Sequence, residues 1–355
     1  MHTINLGLQG GGSHGAFTWG VLDMLLEDGR LSLEGISGTS AGAMNAVALA
    51  HGLALADKGK NGDDTEQREA ARAFLAKFWT DVTSMDSVNT AQRNLWGLIL
   101  GGWQLEQAPT NILADATSRL FSPYQTNPLD INPLRAWLER AIDFERIAKL
   151  KSPKIFVSAT RVSSGKAEIF SGKRLTAQAV MASACLPMVF QAVEIDGEMY
   201  WDGGYSGNPA LHPLIYQCDS RDIVLVQINP IKRNAHPNTA SEIMDRITEL
   251  TFNASLLAQM RAIDFVKRML AQGRLDAARY KDVLLHRIDG GEALEAYPAS
   301  TKRQADAALI KNLFELGREC ARRWLARNFD ALGKQGTVNI ARDYLDDMRM
   351  GSPGS

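Results

Sequence analysis

Polar and apolar positions alternate from Thr3 to Gln9, with Ile4, Leu6 and Leu8 on one side, and this period of two predicts a strand. The strand runs into Gly10-Gly11-Gly12-Ser13-His14-Gly15. Beyond it the spacing changes to three and four. Phe17, Val21, Leu22, Leu25 and Leu26 share one face of a helix that Gly29 ends. Leu33 to Ser37 reads as a second, short strand. It meets Gly38-Thr39-Ser40-Ala41-Gly42, and an Ala-rich helix follows from Ala43 to His51. The first 51 residues thus read strand, glycine loop, helix, strand, tight turn, helix. A βαβα start predicts a mostly parallel sheet with helices on its faces.

Lys58 to Asp64 is a polar loop, and residues 66 to about 145 carry mostly helical periodicity, broken at Gly101-Gly102, Pro109, Pro123, Pro128 and Pro133. Strand signals return at 154–160, 168–170, 193–196 and 222–228. Residues 193–196 and 198–201 read as a hairpin turned by Asp196-Gly197. From Asn238 onward the pattern is helical, apart from Val283 to Ile288. The expected organisation is an α/β core over 1–230 with a helical insertion at about 55–150. A mainly helical region over 231–350 packs on that core, and a disordered tail, 351–355, ends the chain.

The 355 residues fit one large domain or two ordinary ones, at roughly 150 residues per domain. A hydrophobic share of 45% and a charged share of 22% exclude a disordered chain, a collagen and a disulfide scaffold. Lys and Arg number 39 against 40 for Asp and Glu, so the net charge of −1 argues against a nucleic-acid partner. Cys185, Cys218 and Cys320 lie far apart without a CxxC, which fits buried thiols in a reducing compartment better than zinc or disulfides. The N-terminus lacks a charged segment followed by an apolar run, and no stretch approaches about 18 apolar residues. A cytoplasmic location is expected.

The chemistry concentrates at Gly38-x-Ser40-x-Gly42. A serine in a sharp strand-to-helix turn needs small neighbours, and the turn presents its hydroxyl at a helix N-terminus. Gly10 to Gly15 matches G-x-G-x-x-G after a strand. One reading is a dinucleotide site, but the second strand ends in Gly38-Thr39-Ser40, where that reading requires an acid. A second reading is an oxyanion hole of side-chain-free amides, and a third is a turn without a ligand. The serine needs a base. None of the six histidines sits in a motif that marks one. Asp202-Gly203-Gly204 follows a strand, and its glycines let the carboxylate lie against another loop, although the same tripeptide also makes an ordinary turn. A Ser-Asp dyad suffices for ester cleavage, because an alkoxide leaves more readily than an amine. An aspartate near its ordinary pKa of about 3.9 would need desolvation to act as the base.

The three motifs in this order, with Asp202 standing 162 residues after Ser40, resemble the patatin-like phospholipase family. The resemblance runs from about residue 3 to 230 and includes Ala182-Ser-Ala-Cys-Leu-Pro187 and Asp202-Gly-Gly-Tyr-Ser-Gly-Asn-Pro209. It implies a three-layer α/β/α fold and a lipid acyl hydrolase that needs no metal or other cofactor. It places the nucleophile on Ser40, the base on Asp202 and the oxyanion amides on Gly10, Gly11 and Gly12. Gly15, Gly38, Gly42, Gly203 and Gly204 support the motifs. The family usually carries Arg or Lys where this chain has His14, which leaves anion stabilisation weakened or pH-dependent.

Other candidates have plainer readings beside them. His212 would complete a triad or is structural. Leu95, Trp96, Leu98, Ile99, Leu100 and Trp103 form either an acyl-binding surface or the core of the insertion. Arg318, Arg322, Arg323 and Arg327 fit a solvated helix face better than a lipid-phosphate site. The expected partner is a phospholipid or another acyl ester, and peripheral membrane contact and homo-oligomerisation are compatible with the chain. Acyl transfer or storage-polyester cleavage would use the same dyad. Rivals from other classes are a nucleotide-binding oxidoreductase and a non-catalytic lipid-binding protein.

Overall fold

The computed structural model describes residues 1–57, 64–87, 122–128, 130, 132–187, 189–233, 236–297, 301–302 and 306–346. Leu95, Trp96, Leu98, Ile99, Leu100 and Trp103 lie outside them, as does the tail 351–355. The strands are β1 His2–Leu8, β2 Leu31–Gly38, β3 Lys154–Arg161, β4 Ala167–Ser171, β5 Val193–Ile195, β6 Glu198–Asp202, β7 Asp222–Gln227 and β8 Leu284–Asp289. They pair in the order β5-β6-β3-β2-β1-β7-β8, with β4 also on β3. β3, β2, β1, β7 and β8 are mutually parallel, while β4 and β6 pair antiparallel with β3, and β5 antiparallel with β6. The sheet is therefore mixed, with a parallel majority. The expected hairpin joins β5 to β6, and Asp196 and Gly197 take φ of 54° and 79° at its turn.

Among the described residues, nine helices of six or more residues flank the sheet: α1 Gly15–Asp28, α2 Ala41–Leu55, α3 Asp64–Ser87, α4 Pro133–Ala141, α5 Phe144–Lys149, α6 Ala177–Ser183, α7 His212–Gln217, α8 Ala240–Ala271 and α9 Ala307–Asn328. The strands explain why helices cover both faces. Ile4, Leu6 and Leu8 of β1 and Val224 and Val226 of β7 enter one core with Phe17, Val47, Leu75 and Leu313. Ile223 and Leu225, one residue out of step, enter a second core with Leu214, Leu256 and Met260. Successive residues of a strand point to opposite faces, so two separate cores mean a three-layer α/β/α arrangement.

The edge of β3 positions the site. β2 pairs with residues 154–157 of β3 and ends with Gly38 opposite Val157. β4 pairs with 156–160, so it occupies the other edge. β6 pairs with 159–161 and ends with Asp202 opposite Ala159. Because β4 already holds residues 159 and 160 on its own side, β6 must share the edge that β2 uses. β2 and β6 thus run toward each other along one edge and stop two register positions apart.

Helix α9 lies along α1 through facing glycines. A Cβ on Gly20 would stand 2.0 Å from the Phe314 carbonyl oxygen, and one on Gly317 would stand 2.1 Å from that of Phe17. Arg318 pairs with Asp23 and Glu27 of α1, and Arg72 of α3 reaches the same Asp23 at 2.9 Å. Arg318, expected on a solvated face, is instead part of an interhelical ion-pair cluster and is mostly buried. No described helix is long and apolar enough to cross a membrane.

A single methyl group tests the α1–α9 contact. Gly317→Ala is expected to destabilise the protein by about 2 kcal/mol, because close-packed backbones must separate to admit it. Urea denaturation measures this, and a loss under about 0.5 kcal/mol, the ordinary surface range, would contradict the contact.

Candidate active site

β2 delivers the chain to Ser40, which sits at the N-terminus of α2 with φ 55° and ψ −122°. That conformation costs a residue with a side chain about 1–3 kcal/mol, so the surroundings must enforce it. Three hydrogen bonds do so. The Gly42 N–H donates to the Thr39 carbonyl at 2.8 Å, the Ser40 N–H to the Ser183 hydroxyl at 2.9 Å, and the Thr39 hydroxyl to the Gly207 carbonyl at 2.6 Å. The flanking glycines leave no room for side chains. A Cβ on Gly38 would lie 2.5 Å from the Gly42 carbonyl oxygen, and one on Gly42 would lie 2.3 Å from that of Leu8.

The glycine loop after β1 presses against this turn. A Cβ on Gly10 would stand 2.7 Å from the Ser40 Cβ, and one on Gly15 would stand 2.8 Å from the Ala41 Cβ. The Gly10 N–H, however, donates to Asn208 Oδ1 at 2.6 Å. This corrects the expectation of three oxyanion amides, because the Gly10 donor is already spent. The Gly11 and Gly12 N–H groups have no acceptor among the described residues.

Asp202 arrives from the opposite direction at the end of β6 and is fully buried. Its N–H donates to the Cys185 carbonyl at 2.7 Å, and its Oδ1 accepts the Gly204 N–H at 2.7 Å. Gly203 packs flat on β3, where a Cβ would come within 2.1 Å of the Ser158 carbonyl oxygen. Gly204 does the same beneath the Phe252 ring of α8, at 2.6 Å. Asp202 Oδ2 has no hydrogen-bond partner among the described residues. The Ser40 hydroxyl is near enough to favour the carboxylate form, although no bond between the two meets ordinary limits of distance and angle. Burial pushes the carboxyl up to about 7, against the pull of the Gly204 N–H and the Ser40 hydroxyl. The structure therefore brings together a hydroxyl at a helix N-terminus and a carboxyl poised near neutrality, with the glycine loop packed against the serine turn through Gly10 and Gly15.

His14 is 1% exposed, and its Nε2 lies 2.8 Å from the Thr301 hydroxyl. Burial, with Lys302 and Arg233 nearby, holds its pKa well below the usual imidazole range. His14 is accordingly neutral at physiological pH and supplies neither a fixed charge nor a titration near pH 7. His212 stands exposed at the start of α7 and shares no hydrogen bond or ion pair with Ser40 or Asp202. No group of three or more His, Cys, Asp or Glu among the described residues is placed to hold a metal ion.

The sequence alone assigns no role to the residues that hold the motifs, although Ser183, Cys185 and Asn208 lie within the segments 182–187 and 202–209 that carry the family resemblance. Ser183, the last residue of α6, and Cys185, two residues on, each bind one of the two polar residues, Ser40 and Asp202. Gln9, Asn208 and Asn229 are buried and clasp Gly10 from both sides. The available signal was an amide side chain at the end of each strand or loop, in otherwise apolar surroundings.

The patatin-like phospholipase family model matches residues 6–215. A solved structure that the chain is similar to is VipD from Legionella pneumophila, at 17% identity and a TM-score of 0.39, covering 92% of this chain and 67% of that one. No curated protein matches the chain.

The Asp202 environment has a thermodynamic signature. The folded protein keeps the Asp202 proton up to about pH 7, whereas an unfolded aspartate releases it near pH 4. Between those values the folded state binds more protons, so rising pH lowers stability. The Tm of Asp202→Asn relative to wild type is expected to climb from pH 4 to 7 in calorimetry. A difference that stays constant across that window would contradict the raised carboxyl.

Proposed function

The chain belongs to the patatin-like phospholipase family, a family of lipid acyl hydrolases, and from that premise we propose that Ser40 is its nucleophile and Asp202 its general base. In this mechanism Asp202 takes the Ser40 proton as the serine oxygen attacks the acyl carbonyl. The tetrahedral oxyanion forms against the Gly11 and Gly12 N–H groups at the positive end of α2. Collapse expels the alcohol, which takes the proton back from Asp202 and leaves an acyl-serine. Water, deprotonated by Asp202, then attacks that ester and releases the fatty acid.

One observation carries the reading. A fully buried carboxyl, with one oxygen unpartnered among the described residues, sits beside a serine hydroxyl and is raised to about 7. A base with a pKa near the working pH combines the ionised state with a real drive to accept a proton. The α2 N-terminus and the unused glycine amides support the same assignment, because they favour negative charge where the oxyanion would form. The exposed His212, without contact to either residue, favours a dyad over a triad. The substrate class that fits is a carboxylic ester of a lipid.

Turnover of p-nitrophenyl esters and mass-spectrometric profiling of products from phospholipid vesicles test this reading. Ser40→Ala and Asp202→Asn are each expected to lower kcat/KM by about 10⁴-fold or more, as for residues that act as a unit. His212→Ala is expected to leave activity within about twofold of wild type. In wild type kcat/KM should rise with pH through about 7, as Asp202 loses its proton. Persistent activity in Ser40→Ala would refute the mechanism, and a larger loss in His212→Ala than in Asp202→Asn would replace the dyad with a triad.

A further inference from the structure

The charge missing at His14 is present a short distance away, on a residue beyond the family match. Lys302 Nζ donates to Asn229 Oδ1 at 2.9 Å. The other end of that amide, Asn229 Nδ2, donates to the Gly10 carbonyl at 2.7 Å. The Gly10 carbonyl and the Gly11 N–H belong to one peptide group and point in opposite directions. Drawing electron density toward the carbonyl oxygen makes the N–H a stronger donor, and hydrogen bonds in series polarise one another in a low-dielectric interior. Asn229 is 2% exposed and the Lys302 side chain 13%, so the chain runs through protein rather than water.

The lysine is held in place. Its ammonium also donates to Glu249 Oε1 at 2.9 Å. Arg233 binds the same carboxylate with two hydrogen bonds of 2.8 Å, and Arg246 adds one of 3.3 Å. Burial opposes ionisation of Glu249, but Arg233 and Lys302 overcome it and hold the carboxyl down at about 2. Three basic side chains thus converge on the Glu249 carboxylate and fix the Lys302 ammonium against Asn229.

We propose that Lys302 is a positioning residue that relays its positive charge through Asn229 and the Gly10–Gly11 peptide to the oxyanion site. The proposal rests on the reading of Gly11 as an oxyanion donor. It assigns to the C-terminal region the electrostatic role that an arginine or lysine at position 14 would otherwise fill.

The test uses the full chain and two measurements. One is steady-state hydrolysis of p-nitrophenyl butyrate. The other is inhibition by an alkyl trifluoromethyl ketone, to whose carbonyl the serine oxygen adds while Asp202 takes the proton, leaving an oxyanion on the adduct. Lys302→Met is expected to lower kcat about tenfold, less than the roughly 10²- to 10³-fold cost of losing a direct donor. KM should stay within about twofold, because the interaction forms only as charge develops. Ketone affinity should fall by the same factor as kcat/KM, and Lys302→Arg should recover most of both losses. If Lys302→Met does not fold, Lys302→Met/Glu249→Gln removes both partners of one ion pair and carries the same expectation. Unchanged kcat and ketone affinity, or a loss confined to KM, would overturn the relay. Those results alongside an inactive Ser40→Ala defeat the relay alone, whereas an active Ser40→Ala defeats the reading beneath it.

Discussion

The site depends on one edge of one strand. β3 carries β2 and β6 on the same side, arriving from opposite directions, and the two leave a gap of two register positions between Gly38 and Asp202. Whatever follows β2 must turn sharply out of the sheet, because β6 occupies the edge ahead of it. The same holds in reverse for the residue that ends β6. A strained serine and a buried carboxyl are the consequence of that collision. The glycines at 38, 42 and 203 are the positions at which backbones pack too tightly for a side chain.

Burial at this junction does two kinds of work. It removes water from Asp202, which raises the carboxyl from an ordinary weak base to one matched to neutral pH. It also strengthens nearby dipoles, since the Gly10 and Gly11 peptides and the residues after Ser40 in α2 are largely shielded from solvent. The cost is a carboxyl with an unsatisfied oxygen and a serine in an unfavourable conformation. The two large cores, the glycine contact between α1 and α9 and the clasp of Gln9, Asn208 and Asn229 offset that cost and hold the loop rigid. Rigidity matters because preorganised donors need no rearrangement when charge appears.

Much of this was legible in the chain. The change of period from two to three and four marked β1, α1 and β2, and the glycines and polar residues at strand ends pointed to Ser40, Asp202 and the loop at 10–15. The antiparallel entry of β6 was not legible, because no local pattern says which edge a short strand will choose. Nor was the loss of the Gly10 donor, which depends on Asn208, 198 residues away. His14 could be named as an anomaly, but its neutrality comes from burial and from Lys302 and Arg233, a long-range fact. The helix pattern around Arg318 suggested a solvated face, whereas tertiary packing set that arginine between α1 and α9.

The most direct measurement is covalent capture. The protein is treated with a fluorophosphonate at a series of pH values, and the adduct is mapped by peptide mass spectrometry. The account predicts a single phosphonylated residue, Ser40, with a labelling rate that rises with pH about a midpoint near 7 and disappears in Asp202→Asn. Labelling elsewhere, or labelling of Ser40 at a rate indifferent to both pH and Asp202, would contradict it.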